Sequence, residues 1–420
     1  MNDRSHAPAR VPAAALAVVF AGVAAALHLG KLPPAVPALQ ASLGIGLVEA
    51  GFLLSLVQLA GMTLGLAVGL GADTIGLRRG MLTGLSVITL ASLLGGVVGV
   101  RAATGAPAMP WLLALRALEG VGFLLVVMPG PGLIRAVSPA GVEKAALGLW
   151  GAYMPLGVAL ALLLGPGLIA WLGWTGWWWA ISAVSAAAAA CVVLAVPDDR
   201  HRARAAAVSP GAWSVRLRDT VGARGPWTVA IAFAVYSSQW IAVIGFLPSV
   251  YAAAGVPVGW SAALTAIAAA MNIVGNVAGG RLLQRGVRPE RLLRAGYAAM
   301  ALGGIAAFAQ IGQAGDATSL PPALRYIAIC MFSLGGGVVP ATLFLLAVRL
   351  APGPATVSTT VGLMQQASSL GQFIAPLTAA WLADRMGGWQ WTWLLTLLCS
   401  LAGMALAARV TLPSPRAGTA

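Results

Sequence analysis

The sequence predicts an all-α membrane protein, with twelve transmembrane helices in two pseudo-symmetric six-helix bundles. Three observations predict it. First, the chain is 59% hydrophobic and only 9% charged, against roughly 25% charged in a soluble domain. At 420 residues it could not cover such a surface in water, and it is equally remote from the charge-rich, apolar-poor disordered class. Second, apolar runs of about 20 residues, the length that crosses a bilayer, occur twelve times. Third, the second half repeats landmarks of the first at a nearly constant offset.

The first run, roughly 11–32, follows Arg4 and Arg10 with an Ala-rich stretch and ends at His28, Lys31 and the prolines at 33 and 34. It has the outline of a signal peptide, but further runs follow at once, and it reads as a retained helix. The second, 47–70, runs into a glycine-rich turn. The third, 80–100, lies between Arg79 and Arg101, and the fourth, 110–134, ends before Arg135. The fifth, 143–169, closes on Gly165-Pro166-Gly167, and the sixth, 174–196, stops at Pro197. The later runs are 226–251, 259–282, 292–312, 322–349, 356–382 and 389–410, separated by Arg, Pro and Gly. A β-barrel would show alternating polarity in runs of about 10 residues, and these runs are continuous.

The charges orient the chain. Of 25 Lys+Arg, Lys31 and Arg116 fall within spans. With both termini cytoplasmic, only Arg101, Arg325 and Arg385 fall outside, and every other cation lies on the cytoplasmic face, as the positive-inside rule requires. The formal charge of +14 is therefore a topology signal rather than a nucleic-acid signal. The longest polar stretch, Pro197 to Gly225, divides six spans from six, giving domains 1–196 and 226–420 with a cytoplasmic linker, 197–225, lying against anionic headgroups. Cys191, Cys330 and Cys399 sit inside spans and read as packing residues. Trp171, Trp174, Trp177, Trp178 and Trp179, with Trp381, Trp389, Trp391 and Trp393, read as an aromatic belt at the outer headgroups.

The repeat is explicit. Gly65, Gly69, Gly76 and Arg78 recur 210 residues later as Gly275, Gly279, Gly286 and Arg288, and Pro166, Trp171, Leu172 and Trp179 recur as Pro376, Trp381, Leu382 and Trp389. Gly148 and Gly157 recur 214 residues on, as Gly362 and Gly371.

The loop after the second span reads Gly69-Leu-Gly71-Ala72-Asp73-Thr74-Ile75-Gly76-Leu77-Arg78-Arg79. It resembles the loop between helices 2 and 3 of the major facilitator superfamily, written G-x-L-A-D-R-x-G-R-R, with Gly71, Thr74 and Leu77 as departures. The resemblance implies a conformational latch at Gly69, Asp73, Gly76, Arg78 and Arg79. An acid at a helix end can pair with a cation or a helix N-terminus in one conformer and lose that partner in another. The equivalent loop in the second half, Gly280 to Gly286, lacks the acid. Span 4 carries Arg116-Ala-Leu-Glu119-Gly120-Val-Gly122, which is similar to the R-x-x-x-G-x-G pattern of proton-coupled members of that family. Ionisable residues within a span are costly and functional by default. Arg116 and Glu119 stand three apart on one helix face, and Glu119 is the one acid well inside a span. A proton-coupling pair and a structural ion pair are both open readings.

The end of span 1, His28 to Gln40, followed by Glu49-Ala-Gly51-Phe52-Leu53, resembles the cyanate-permease-like branch, with Lys31 where Arg is typical. This implies a small anion or small polar organic solute. An electropositive cavity around Lys31, Arg116 and His28 points the same way, while a lysine reaching the outer headgroups is the competing reading. Neutral polar residues inside spans face a cavity or another helix, because lipid does not satisfy them. Gln58, Tyr153, Tyr236, Asn276 and Gln366 are such residues, and Gln239, Trp240, Asn272 and Gln365 join Lys31 and His28 as expected substrate-binding groups.

The chain has no G-x-x-x-x-G-K-[ST] loop and no H-E-x-x-H, which argues against an ATPase engine and a zinc hydrolase. No cofactor or metal is expected. The family resemblance implies a non-enzymatic secondary transporter in the inner membrane. It would act as a monomer, moving a small anionic or polar solute by rocking of the two halves, with proton coupling. A drug or metabolite exporter, a proton antiporter of the same fold, is the alternative.

Overall fold

The structure, a computed structural model, describes residues 11–139, 142–198, 213–310, 320–353 and 356–410. It describes the side chains of these residues apart from 47, 48, 50, 68–75, 143–145, 148 and 358. The described elements are helical. In chain order they are α1 Ala13–Gly30, α2 Leu32–Leu43, α3 Leu47–Leu56, α4 Leu59–Ile75, α5 Leu77–Ala102, α6 Met109–Val127, α7 Gly130–Val137, α8 Glu143–Gly151 and α9 Tyr153–Ala195. Then come α10 Trp213–Gly222, α11 Arg224–Ala253, α12 Val258–Gln284, α13 Pro289–Phe308, α14 Pro322–Leu350, α15 Val357–Arg385 and α16 Thr392–Ala408.

Eight helices among the described residues are long and apolar enough to cross a membrane. Twelve spans still emerge. At a rise of 1.5 Å per residue the 43 residues of α9 are about 65 Å long, twice a hydrocarbon core of about 30 Å. This helix turns at Gly173 (φ 71°, ψ 171°) and supplies two spans. The pair α3–α4 supplies span 2, broken at Val57–Gln58, where Gln58 N–H bonds Ser55 O at 2.9 Å. Helices α13 and α15 supply spans 9 and 11. The first turn of α13 carries Glu290 and Arg291, and α15 carries a polar series from Thr359 to Gln372, which explains why neither reads as purely apolar.

Span 1 corrects an expectation. Its predicted end at the prolines is instead the start of α2, and helical backbone continues to Leu43. Pro33 and Pro34 lie in the first turn of α2, where a missing N–H breaks no helical bond. Lys31 thus sits at a break in the middle of a 31-residue apolar stretch, not at its end.

The repeat survives in backbone geometry. Gly76 and Gly286 both have positive φ (91° and 83°), as do Gly44 and Gly255 (66° and 73°) and Gly173 and Gly387 (71° and 68°). These are left-handed turn positions that disfavour a Cβ, and they recur 210 to 214 residues apart.

The chain forms two compact units. One comprises Met1–Gly61, Gly71–Ser209 and Leu247–Ile273; the other comprises Met62–Leu70, Pro210–Phe246 and Val274–Ala420. In the first, α5 packs on α6 where Gly84 and Gly122 abut each other's backbone, and on α9 where Gly95 leaves room for the indole of Trp178. In the second, α13 packs on α14 through Gly296 and Gly335 in the same manner, and Tyr297 fills the space beside Gly403 of α16.

The aromatic belt needs division. Trp171 is 79% exposed, as a headgroup anchor should be, but Trp174, Trp177 and Trp178 are buried in the core of the first unit. Small residues of α5 make the space that takes two of them, and proximity to a span end does not reveal this.

Candidate functional site

The break between α1 and α2 positions a buried charge cluster. Prolines 33 and 34 have no N–H to return to the carbonyls of Leu29 and Gly30, and the carbonyls flanking these two, of His28 and Lys31, take side-chain donors. Arg116 of α6 donates through Nη1 to His28 O at 2.5 Å. Trp177 donates through Nε1 to Lys31 O at 3.0 Å. The second break, at Val57–Gln58, is treated alike, with Arg116 Nε donating to Leu53 O at 3.0 Å. One guanidinium therefore joins two interrupted helices. Gly120, one turn on, brings α6 so close to Val57 O that no Cβ would fit.

Glu119 is the centre of the cluster. Its Oε2 accepts from Arg116 Nη1 at 2.6 Å, and its Oε1 pairs with the Lys31 ammonium. Lys31 Nζ also donates to Ser92 Oγ at 3.0 Å, lies 3.5 Å from His28 Nδ1, and stands 4.6 Å from the centroid of the Trp178 ring. His28 Nδ1 is 3.4 Å from Glu119, and its Nε2 meets Ser185 Oγ at 2.8 Å. With Lys31 donating to Nδ1, the His28 proton belongs on Nε2, directed at Ser185. Ser92 passes its own proton to Trp178 O at 3.0 Å.

His28 and Lys31 are fully buried, and Arg116 and Glu119 are 3% and 2% exposed. Lys31 therefore turns inward rather than to the headgroups. An ammonium and a guanidinium face one carboxylate, which leaves one positive charge without a counter-ion among the described residues. The aromatic face, the serine and the two carbonyls offset it in part, since buried charges persist only when paired and hydrogen-bonded.

The other expected residues are placed as follows. Gln239 and Trp240 lie on α11 in the second unit, both buried. Gln239 Oε1 accepts from Ser400 Oγ at 3.0 Å while its Nε2 has no partner among the described residues, and Trp240 Nε1 donates to Ser333 Oγ at 3.2 Å. Beside them Ser368 donates to Ser237 at 2.9 Å and accepts from Gln372 at 2.9 Å. This second network is neutral throughout. Gln365 is half-buried on α15, next to Gln366, whose Oε1 accepts from Leu66 N–H at 3.0 Å. Asn272 is buried on α12, in the first unit.

Of the expected latch, the side chains of Gly69 and Asp73 lie outside the described residues. Gly76 forms the left-handed turn, and Arg79 is exposed. Arg78 pairs through Nη1 with Asp198 Oδ1 at 2.7 Å and donates through Nη2 to Val193 O at 2.9 Å, at the end of α9. Sequence reasoning did not single out Ser92 or Ser185, and it placed Trp177 and Trp178 in the aromatic belt. A serine in an apolar run is a weak signal, and an indole near a span end is an ambiguous one.

Comparison with known proteins adds the family. Two solved structures of FucP resemble the chain. The first, described as a variant of the E. coli fucose:proton symporter, aligns with a TM-score of 0.68 at 17% identity and covers 94% of this chain and 98% of that one. The second, of FucP in the outward conformation, gives 0.66 at 17% identity, covering 95% and 98%. These likenesses show the fold alone. No curated protein matches in sequence. Residues 14–376 match the family model described as Major Facilitator Superfamily. With that match over most of its length and twelve helical spans, the chain belongs to the major facilitator superfamily, and it is an integral membrane transporter, not an enzyme.

Proposed function

We propose that the chain is a proton-coupled secondary transporter of small anionic or polar organic solutes, akin to the cyanate-permease-like branch. It would work by alternating access of two six-helix bundles, 1–196 and 226–420, as a monomer in an inner membrane with both termini cytoplasmic. The observation that carries the reading is the buried Lys31–Glu119–Arg116 triad, which has one carboxylate for two cations. A proton taken up by Glu119 would cancel its charge and release both cations. A cationic surplus favours an anionic guest. In this reading Glu119 is the proton-carrying group, Arg116 positions it, and Lys31 with His28 supplies the positive field. Gln239, Trp240, Asn272 and Gln365 supply neutral hydrogen bonds to the solute, and Gly69, Asp73, Gly76, Arg78 and Arg79 form a latch that one conformer closes. The fold likeness to a fucose:proton symporter is consistent with coupling but says nothing of the solute.

Purified protein in vesicles tests it. Uptake of small inorganic and carboxylate anions is compared with that of neutral sugars, with and without an inward proton gradient. Gradient-driven anion uptake that loses its proton dependence in Glu119→Gln is expected. Unaltered proton dependence in that variant, or sugar uptake without anion uptake, would sink the reading.

A further inference from the structure

Three of the five N–H groups of the cluster's guanidinium, one on Nε and two on Nη1, donate to Leu53 O, His28 O and Glu119. The remaining nitrogen, Arg116 Nη2, is buried and has no partner among the described residues. An unmet charged donor in a dry interior is costly and calls for a partner. Beside it lies a cavity of about 10 Å³, lined by Arg116 and Glu119 and otherwise mainly by leucines, among them Leu39, Leu53, Leu112 and Leu115. That volume is about what one water requires, and a buried water needs two or more polar partners. Here a donor and an acceptor are both present.

The leucines are not spread evenly about Glu119. Leu39 is near the end of α2 at Leu43, Leu53 is in α3, and Leu112 and Leu115 are in the first turns of α6, which starts at Met109. Leu39, Leu112 and Leu115 lie between the cluster and the end of the first unit where α2 and α5 stop and α6 begins, while Leu32 and Leu53 adjoin the cluster itself. Gly120, the next residue, sits against Val57 O with no room for a Cβ. Leu39, Leu112 and Leu115 therefore wall the cavity on the side of Glu119 that faces that end.

We propose that this cavity holds a single water, bonded by Arg116 Nη2 and bonding Glu119, and that it is the last station of a proton route running inside the first unit. The proposal rests on Glu119 being the proton carrier. A hydronium at the water position gives one proton to a carboxylate oxygen. One O–H bond of the hydronium breaks, one O–H bond forms on Glu119, and a water remains. The charged or titratable groups facing Glu119 are Lys31 and His28 from α1 and the α1–α2 junction and Arg116 from its own helix; α5 and α9 face the cluster with Ser92, Trp178 and Ser185, and α3 with the Leu53 carbonyl. The leucine wall excludes solutes larger than water, so protons and solute travel separately.

The test uses the full chain in lipid nanodiscs, a rapid acid jump, and time-resolved infrared detection of the protonated carboxyl C=O band. Loss of that band in Glu119→Gln assigns it. Leu115→Phe, which narrows the approach, should slow the appearance of the band about tenfold, equivalent to about 1.4 kcal/mol of barrier, with the same midpoint pH. Leu115→Ser, which widens and wets it, should speed it. Leu163→Phe, on an exposed face of α9, should change nothing. Equal rates in Leu115→Phe, Leu115→Ser and the parent would overturn the route while leaving Glu119 as the carrier. No Glu119 band at any pH would overturn the carrier reading itself.

Discussion

Lys31 and Glu119 lie 88 residues apart in the chain and form an ion pair that is at most 2% exposed at either end. The pair joins a helix break to the middle of an intact helix. Its partner on the other carboxylate oxygen, Arg116, reaches both that break and a second one. Backbone irregularity and buried charge are therefore one feature, because the broken helices expose carbonyls and Arg116 satisfies one at each break.

The charge arithmetic of the triad orders the variants. Glu119→Gln leaves two buried cations without a counter-charge, and breaking a buried pair by removing one partner costs about 3–5 kcal/mol. Lys31→Met removes the surplus cation, fills similar volume and leaves the Arg116–Glu119 pair intact, so its cost should be much smaller. Adding Lys31→Met to Glu119→Gln should restore part of the lost stability. Thermal unfolding of the three variants in detergent checks this, and additive losses in the double variant would contradict it.

Arg116→Lys keeps the charge but not the fork. A lysine is a point charge and cannot serve His28 O, Leu53 O and Glu119 together. Hydrogen bonds to charged groups are worth about 1.5–3 kcal/mol each, so the variant should be destabilised by at least one such bond. The loss should appear at the two breaks. Amide exchange in the segments around residues 28–35 and 53–58 is expected to quicken, with exchange in α13 unchanged. Uniform exchange across the first unit would refute a role at the breaks.

Much of the fold was legible because bilayer thickness imposes a length on each apolar run, and positive charge marks one side. The Arg116–Glu119 pair was legible too, since a spacing of three on one helix puts both on one face. The pairing of Lys31 with Glu119 was not. It depends on helix 1 continuing past Pro33 and Pro34, which read as a stop when placed at the end of a span but act as a first turn when a second helix follows. Had α2 been recognised, Lys31 would have stood in mid-membrane, where an unpaired ammonium is untenable. Trp178 was misread for a related reason, because the space it fills is made by Gly95 of another span.

The repeat makes a paired prediction about glycine. Gly76→Ala and Gly286→Ala each force a Cβ into left-handed backbone, at φ 91° and 83°, for about 1–2 kcal/mol. Gly167→Ala, inside α9 with nothing within 4 Å of the new methyl, should instead be neutral or gain up to about 1 kcal/mol of helix propensity. Chemical unfolding midpoints of the three variants decide. Equal tolerance at all three sites would mean that the positive-φ turns are not needed.

The two indoles beside Lys31 act differently, and conservative variants separate them. Trp177 uses its N–H on Lys31 O, so Trp177→Phe keeps the ring but loses a hydrogen bond worth about 1 kcal/mol and frees the carbonyl at the helix break. Trp178 offers its face to the ammonium, and its own carbonyl holds Ser92 in place to accept from Lys31. Trp178→Phe keeps a weaker π face, with an expected loss of about 0.5–2 kcal/mol. Both losses should be measured again with Lys31→Met as the background. The effect of Trp178→Phe should then shrink, because no cation remains above the ring. The effect of Trp177→Phe should persist, because the carbonyl at residue 31 is still there. If both effects survive the loss of the ammonium unchanged, Trp178 is a packing residue and does not hold the charge.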